Sequence, residues 1–193
     1  MQRTSFGAMS CPIARSLQRV GEWWSILILR DAFAGITRFE AFQKSLGIAP
    51  GMLTRRLEAL VESGLLARHR YCEKPPRHEY RLTARGADFR PVLIALLAWG
   101  NRHFAPEGAS IQVVDAATGQ QAEPILVDRA SLRPILSDAF RLAPGPAASP
   151  ATRARLAASG GGLAPSAASG GGLAPSAASG GGLAPPAAGG ATP

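Results

Sequence analysis

At 193 residues the chain has room for one domain or two small ones. Its formal charge of +8 is uneven: residues 1–108 carry 16 Lys and Arg against 9 Asp and Glu, and the remaining 85 carry 5 against 4. That concentration suits a polyanionic partner, while two cysteines, Cys11 and Cys72, are too few and too far apart for a disulfide framework or a zinc site.

Residues 1–10 show no secretory leader, and no apolar stretch, Ile26–Leu29 included, approaches the length of a membrane span. The expectation is a cytoplasmic protein without a membrane partner. A first helix is predicted from Ser10, a capping residue, with Pro12 in the first turn and Ile13, Leu17 and Val20 on one face. Gly21 interrupts. A second helix, Glu22 to Phe33, has so little polar face that it belongs at the centre of a small bundle, and Gly35 ends it. Thr37 and Glu40 have the spacing of a capping box, opening a short helix that ends near Leu46-Gly47. Pro50 suits the first position of the next helix, which runs to Ser63 with Gly64 beyond it. Two short helices joined by a tight glycine-containing turn have the shape of a helix-turn-helix.

Past Gly64 the period becomes two. Leu66 to Cys72 and His78 to Leu82 alternate around Lys74-Pro75-Pro76, which predicts a β-hairpin with a basic tip. Thr83 then caps a long helix to Phe104, with a kink expected at Pro91. Val113-Val114-Asp115 and Leu126-Val127-Asp128 look like short strands entering similar turns, so residues 109–143 are expected to form a small β-rich extension. From residue 144 onward Ala, Gly, Pro and Ser dominate. A decapeptide repeats as Ser159–Ala168, Ser169–Ala178 and Ser179–Ala188. Such a segment buries too little apolar surface to offset its ordering entropy, so residues 144–193 are expected to be disordered.

The order of elements predicts a mainly α winged helix-turn-helix with a two-stranded wing over residues 1–108. In the second helix of the motif, about 100° per residue puts Leu53, Leu57, Leu60 and Val61 on one face. Arg55 and Gly51 lie opposite, with Thr54 and Arg56 on the flanks; Glu58 and Glu62 are exposed only in the C-terminal half. In helix-turn-helix docking the N-terminal residues of this helix meet base edges. Gly51, Thr54, Arg55 and Arg56 are therefore candidate DNA contacts, with Arg55 able to bond guanine O6 and N7. Lys74, Arg77 and His78 on the wing are candidate contacts to backbone or minor groove, and Arg38 ahead of the motif completes the DNA-binding set. A solvated helix face and a solubilising loop would account for the same charges. Enzymatic readings are weak: His69, His78 and His103 are scattered, and no hydrolase, phosphate-binding or metalloprotease motif occurs. No cofactor and no metal are expected. RNA binding is weaker for want of exposed stacking aromatics. A protein-interaction module is the alternative from a different class.

Cys11-Pro12-Ile13, Gly21-x-x-Trp24, Ile28-Leu29, Phe39-x-x-Phe42, Ile48-Ala49-Pro50, Leu53-Thr54-x-Arg56-Leu57, Gly64-Leu65-Leu66, Pro75-Pro76-Arg77-x-Glu79-Tyr80-x-Leu82-Thr83-x-x-Gly86 and Trp99-Gly100 together resemble the HxlR-type regulators. The match covers residues 11–104 almost without a gap. The resemblance implies a homodimer with a MarR-like winged helix on an inverted repeat near a promoter. The function expected of the chain is sequence-specific DNA binding as a dimeric regulator, a repressor. It also implies an extension that in some members holds cysteine pairs suggestive of zinc, absent here. Some members sense electrophiles or oxidants through a cysteine matching Cys11, so a redox or small-molecule effector is a candidate. Cys11 stands at a helix start, where the helix dipole favours negative charge, with Arg15 one turn on; a small residue filling a helix–helix gap is the alternative. Leu93, Leu96 and Leu97 on the last helix are the candidate dimer surface, and Trp23, Trp24 and Trp99 are read as packing residues.

Overall fold

The computed structural model describes residues 11–163. Its elements are α1 (Pro12–Val20), α2 (Trp23–Phe33), α3 (Phe39–Leu46), α4 (Pro50–Glu62), β1 (Leu66–Cys72), β2 (Arg77–Leu82), α5 (Ala84–Ala87), α6 (Arg90–Phe104) and α7 (Pro150–Ser159). The strands form an antiparallel hairpin, Leu66 opposite Leu82 and Arg68 opposite Tyr80. This is the mainly α winged helix-turn-helix that the sequence predicts. No helix among the described residues is long and apolar enough to cross a membrane.

The apolar α2 is the central helix, packed by α1, α3, α4, α6 and β2. Its Ile28 and Leu29 are fully buried with Phe42 of α3, Leu53, Leu57 and Leu60 of α4, and Leu66 at the wing base. Trp24, Ile36, Phe39, Phe89 and Leu93 close the periphery of this core. Tyr80 donates its backbone N–H to the Thr37 carbonyl at 2.7 Å, and Arg38 bridges Glu79, so the segment before α3 acts as a short third strand beside β2.

That pairing corrects one sequence expectation. Thr37 is not the N-cap of α3; Arg38 is, and no side chain caps it. The strand-like bridge holds Arg38 extended, so the helix begins one residue later and the capping box does not form. At the other end Ser10 lies outside the described residues, and Cys11 is the N-cap of α1.

The predicted long helix after the wing is two helices. Thr83 caps α5, its hydroxyl accepting from Gly86 N–H at 3.0 Å. Pro91 sits in the first turn of α6 instead of kinking a continuous helix. Proline lacks an N–H and clashes with the carbonyl four residues back, so it is accommodated where a helix starts. The Thr83 hydroxyl also reaches the Gly64 carbonyl at 2.7 Å, fastening the end of the wing to the end of α4.

Residues 109–143 lack regular strands. Only isolated bridges occur, Val114 with Gln121, Val127 with Pro134 and Arg141 with Gly162. The faint sequence repeat is nonetheless a structural one. Asp115 N–H bonds Gln120 O and Asp128 N–H bonds Arg133 O; Gly119 N–H returns to Asp115 O and Leu132 N–H to Asp128 O. In each turn the aspartate accepts from a hydroxyl residue three positions on, Thr118 or Ser131. These bonds hold both carboxyls below their ordinary pKa: backbone and side-chain bonds from Thr118 lead for Asp115, and the Ser131 hydroxyl leads for Asp128. Short turns closed by carboxylates do the work assigned to strands, because each segment spends its backbone groups on itself. The extension is joined to α6 through Arg102–Glu123 at 2.8 Å and Asn101 Nδ2 to the Ile111 carbonyl at 2.9 Å.

The expected disordered stretch from 144 begins with structure. α7 is capped by Ser149, whose hydroxyl accepts from Thr152 N–H, and Pro150 occupies the first turn. Alanine-rich composition favours helix once a cap and an N-terminal proline define its start. The chain from residue 164, which holds the end of the first decapeptide and both later ones, lies outside the described residues.

A glycine fixes the wing base. A Cβ at Gly86 would stand 2.1 Å from the Leu65 carbonyl oxygen. Gly86→Ala should therefore cost about 1–3 kcal/mol through forced displacement of α5 from β1. Thermal unfolding measures this, and a melting temperature equal to wild type would show that the contact relaxes freely.

Candidate nucleic-acid interface

α3 ends in Gly47, left-handed at φ 61, whose N–H bonds Gln43 O. Ile48 follows, buried, and Ala49 and Pro50 start α4. This three-residue turn seats α4 across α3 with its apolar stripe inward. Leu53, Leu57 and Leu60 are inaccessible to solvent, and Gly51, Thr54, Arg55, Glu58 and Glu62 are exposed. The outward face predicted by the helical period is thus the face presented.

Its N-terminal half carries local bonds only. Thr54 Oγ1 donates to Pro50 O at 3.0 Å, and Arg55 Nε points back to Gly51 O at 3.4 Å. Among the described residues nothing lies within 4 Å of a Cβ built on Gly51, so their packing does not require glycine there. A bare backbone at that point leaves room for an external surface.

Arg56 departs from expectation. It is not part of the outward set: its Nη2 lies 2.9 Å from Glu22 Oε2, at the N-cap of α2, and the two side chains are 17% and 27% exposed. The helical period places Arg56 on the flank between core and solvent, and the tertiary neighbour decides which way it turns.

The wing lies alongside. Lys74 and Arg77 are exposed at its tip, with no acidic side chain pairing them among the described residues. His78 Nδ1 accepts from Arg68 Nη2 at 3.0 Å. Partial desolvation, then repulsion from Arg68 and Arg70, lowers the His78 pKa from its ordinary 6.5. These surroundings favour the neutral imidazole, which accepts the Arg68 bond on the wing.

Between β1 and β2 the register slips at Tyr71, which has no partner across the hairpin: Arg70 faces His78 and Cys72 faces Arg77. A bulge of this kind re-aims one side chain. Tyr71 is turned toward the start of α3, where the Arg38 guanidinium stacks over its ring at 4.9 Å. Arg38 is thereby held on the same side as the wing. Sequence reasoning found Arg38 and missed Tyr71, because strict alternation gives no sign of a bulge. Arg68 and Arg70 are exposed on β1 and extend the basic surface, although Arg70 is partly engaged by Glu73 at 3.3 Å.

Elsewhere the structure separates residues grouped by sequence. Leu93 packs on the core, Leu97 lines a groove against the extension, and of the three candidate dimer leucines only Leu96 is exposed, beside Val92 and Trp99. Ile13 and Leu17 of α1 are exposed as well. Trp24 packs on the core, whereas Trp23 and Trp99 are exposed. Cys11 is half-buried at the start of α1.

Residues 19–108 match the family model described as HxlR-like helix-turn-helix. An HTH-type transcriptional regulator of Mycobacterium tuberculosis, Rv3095, is 42% identical over 116 residues, which span 60% of this chain and 73% of that protein. Another from Synechocystis, sll1512, is 42% identical over 105 residues, 54% of this chain and 78% of that one. Among solved structures, the Pseudomonas aeruginosa protein PA1374, described as a candidate transcription factor, is 53% identical with a TM-score of 0.56; the match covers 76% of this chain and all of that one. PA1607, described in the same terms, is 39% identical with a TM-score of 0.64, covering 72% and 99%. Both solved matches span more of the chain than residues 19–108, so the likeness continues beyond the winged helix. With its α3–turn–α4 motif, its wing and these relatives, the chain belongs to the HxlR-like helix-turn-helix family and is a transcriptional regulator of helix-turn-helix type.

Proposed function

We propose that the chain binds double-stranded operator DNA in a sequence-specific manner as a homodimer and acts as a repressor. The carrying observation is the division of α4: a fully buried Leu53/Leu57/Leu60 stripe and, opposite it, Gly51, Thr54 and Arg55 exposed ahead of the first acid, Glu58. In the major groove this half meets base edges, and the wing cations Lys74 and Arg77 meet phosphates.

One recognition helix reads a few base pairs, too little information for a unique genomic site. Two copies about a two-fold axis supply the rest, and they need an apolar surface. Val92, Leu96 and Trp99 give α6 such a stripe at helical spacing, exposed by 46%, 41% and 54%. The operator is then an inverted repeat with half-site centres about 34–36 Å apart. A dimer on such a repeat near a promoter would obstruct polymerase.

Selection of bound fragments from a random DNA pool, followed by in vitro transcription from a promoter carrying the selected site, tests this reading. Recovery of an inverted repeat and falling transcript support it. Recovery of no duplex sequence would favour a protein-docking role for the winged helix.

Arg55→Ala should weaken operator binding by about 1–3 kcal/mol and relax preference at one base pair in each half-site. Equal loss on operator and random duplex would reassign Arg55 to a phosphate. Lys74→Ala and Arg77→Ala should instead weaken both kinds of DNA alike, each lowering the salt slope by roughly one ion. An unchanged slope removes the wing from the interface. Leu96→Asp should give a folded monomer with reduced operator affinity, read by light scattering and thermal unfolding; a variant that stays dimeric would place the seam elsewhere.

A further inference from the structure

Arg55 and Arg56 are adjacent on α4 and the fold treats them differently. Arg55 is exposed with only a long bond to its own helix. Arg56 is drawn to Glu22, at 2.9 Å. Glu22 is the N-cap of α2, yet its carboxylate makes no capping bond to that helix and reaches across to α4 instead. The corner that delivers it is tight: Gly21 N–H bonds the Leu17 carbonyl at 2.7 Å, and a Cβ at Gly21 would stand 2.3 Å from that oxygen. A half-shielded carboxylate is thus held by the α1–α2 corner against the flank of the helix that faces outward.

A guanidinium pairs equally well with a carboxylate and with a phosphate. Non-specific DNA affinity grows with each phosphate a protein neutralises, whereas specificity is the difference between two affinities. A cation on the flank of a recognition helix, left to itself, strengthens binding to every sequence.

We propose that Glu22 is a specificity-determining residue of the DNA-binding surface: it competes with the phosphate backbone for the Arg56 guanidinium, withholding that charge from sequence-independent contact while leaving Arg55 to the bases. The proposal rests on α4 being the recognition helix. Arg56 is then a positioning residue, tying α4 to the α1–α2 corner, and takes no share of the charge neutralised on DNA. Removing the carboxylate's charge weakens the hold on the guanidinium and shifts the competition toward the DNA backbone.

The test uses the full chain and three variants, Glu22→Gln, Arg56→Gln and the double substitution. Binding to a random duplex of about 20 base pairs and to the selected operator is followed across a salt series by fluorescence anisotropy. Glu22→Gln should tighten random-duplex binding by about three- to ten-fold and steepen the salt slope by about one ion, roughly 0.9 in the logarithmic plot. Operator affinity should rise less, so the specific-to-random ratio falls. Arg56→Gln should keep the wild-type slope, and the double variant should return the slope to it. Thermal unfolding establishes that each variant is folded. Two results overturn the inference while leaving the DNA reading intact: Glu22→Gln with the wild-type slope and random-duplex affinity, or Arg56→Gln with a slope already one ion shallower. A wild-type chain with no salt-dependent duplex binding overturns both.

Discussion

The burial of one stripe of α4 is the constraint on which the other features depend. Leu53, Leu57 and Leu60 pack without solvent contact against Ile28 and Leu29 of the central helix and Phe42 of α3. Removing any one of these leucine side chains would cost about 2–5 kcal/mol, a large part of a small domain's stability. That anchorage fixes the rotation of α4 about its own axis. Once the rotation is fixed, the 3.6-residue period leaves Gly51, Thr54 and Arg55 no face but the outer one.

The wing is bound to this frame by backbone, not by side-chain packing alone. Tyr80 N–H to Thr37 O joins β2 to the start of α3, and the Thr83 hydroxyl joins its far end to the close of α4. Gly86, pressed against the Leu65 carbonyl, admits the following helix without a gap. The hairpin is accordingly an extension of the helix-turn-helix frame. Lys74, Arg77, Arg38 and Arg55 have a fixed relation because the elements bearing them share hydrogen bonds.

Charge is distributed with the same selectivity. Several arginines are already committed to acids, Arg56 to Glu22, Arg81 to Glu79 and Arg102 to Glu123, and the cations Arg68 and Arg70 disfavour a positive charge on His78. The basic composition of the first 108 residues therefore overstates the charge offered to a partner. What is offered is concentrated at the start of α4, the wing tip and Arg38.

The sequence by itself determined the periodic features. The apolar stripe of α4, the central α2, the hairpin and the outward position of Arg55 all follow from spacing, because a buried face imposes its period on the chain. The twin aspartate turns were legible too, since local hydrogen bonding writes itself into short motifs such as Asp115-x-x-Thr118. Tertiary structure decided what depends on neighbours distant in the chain. Thr37 lost its capping role to a bridge with β2, and Tyr71 was turned onto Arg38 by a bulge. Leu93, Leu96 and Leu97 were divided among core, solvent and extension. Arg56 was claimed by a carboxylate 34 positions earlier, at Glu22. The physical reason is common to all four: a residue on the flank of an element has two directions open to it, and only the partner brought there by folding selects one.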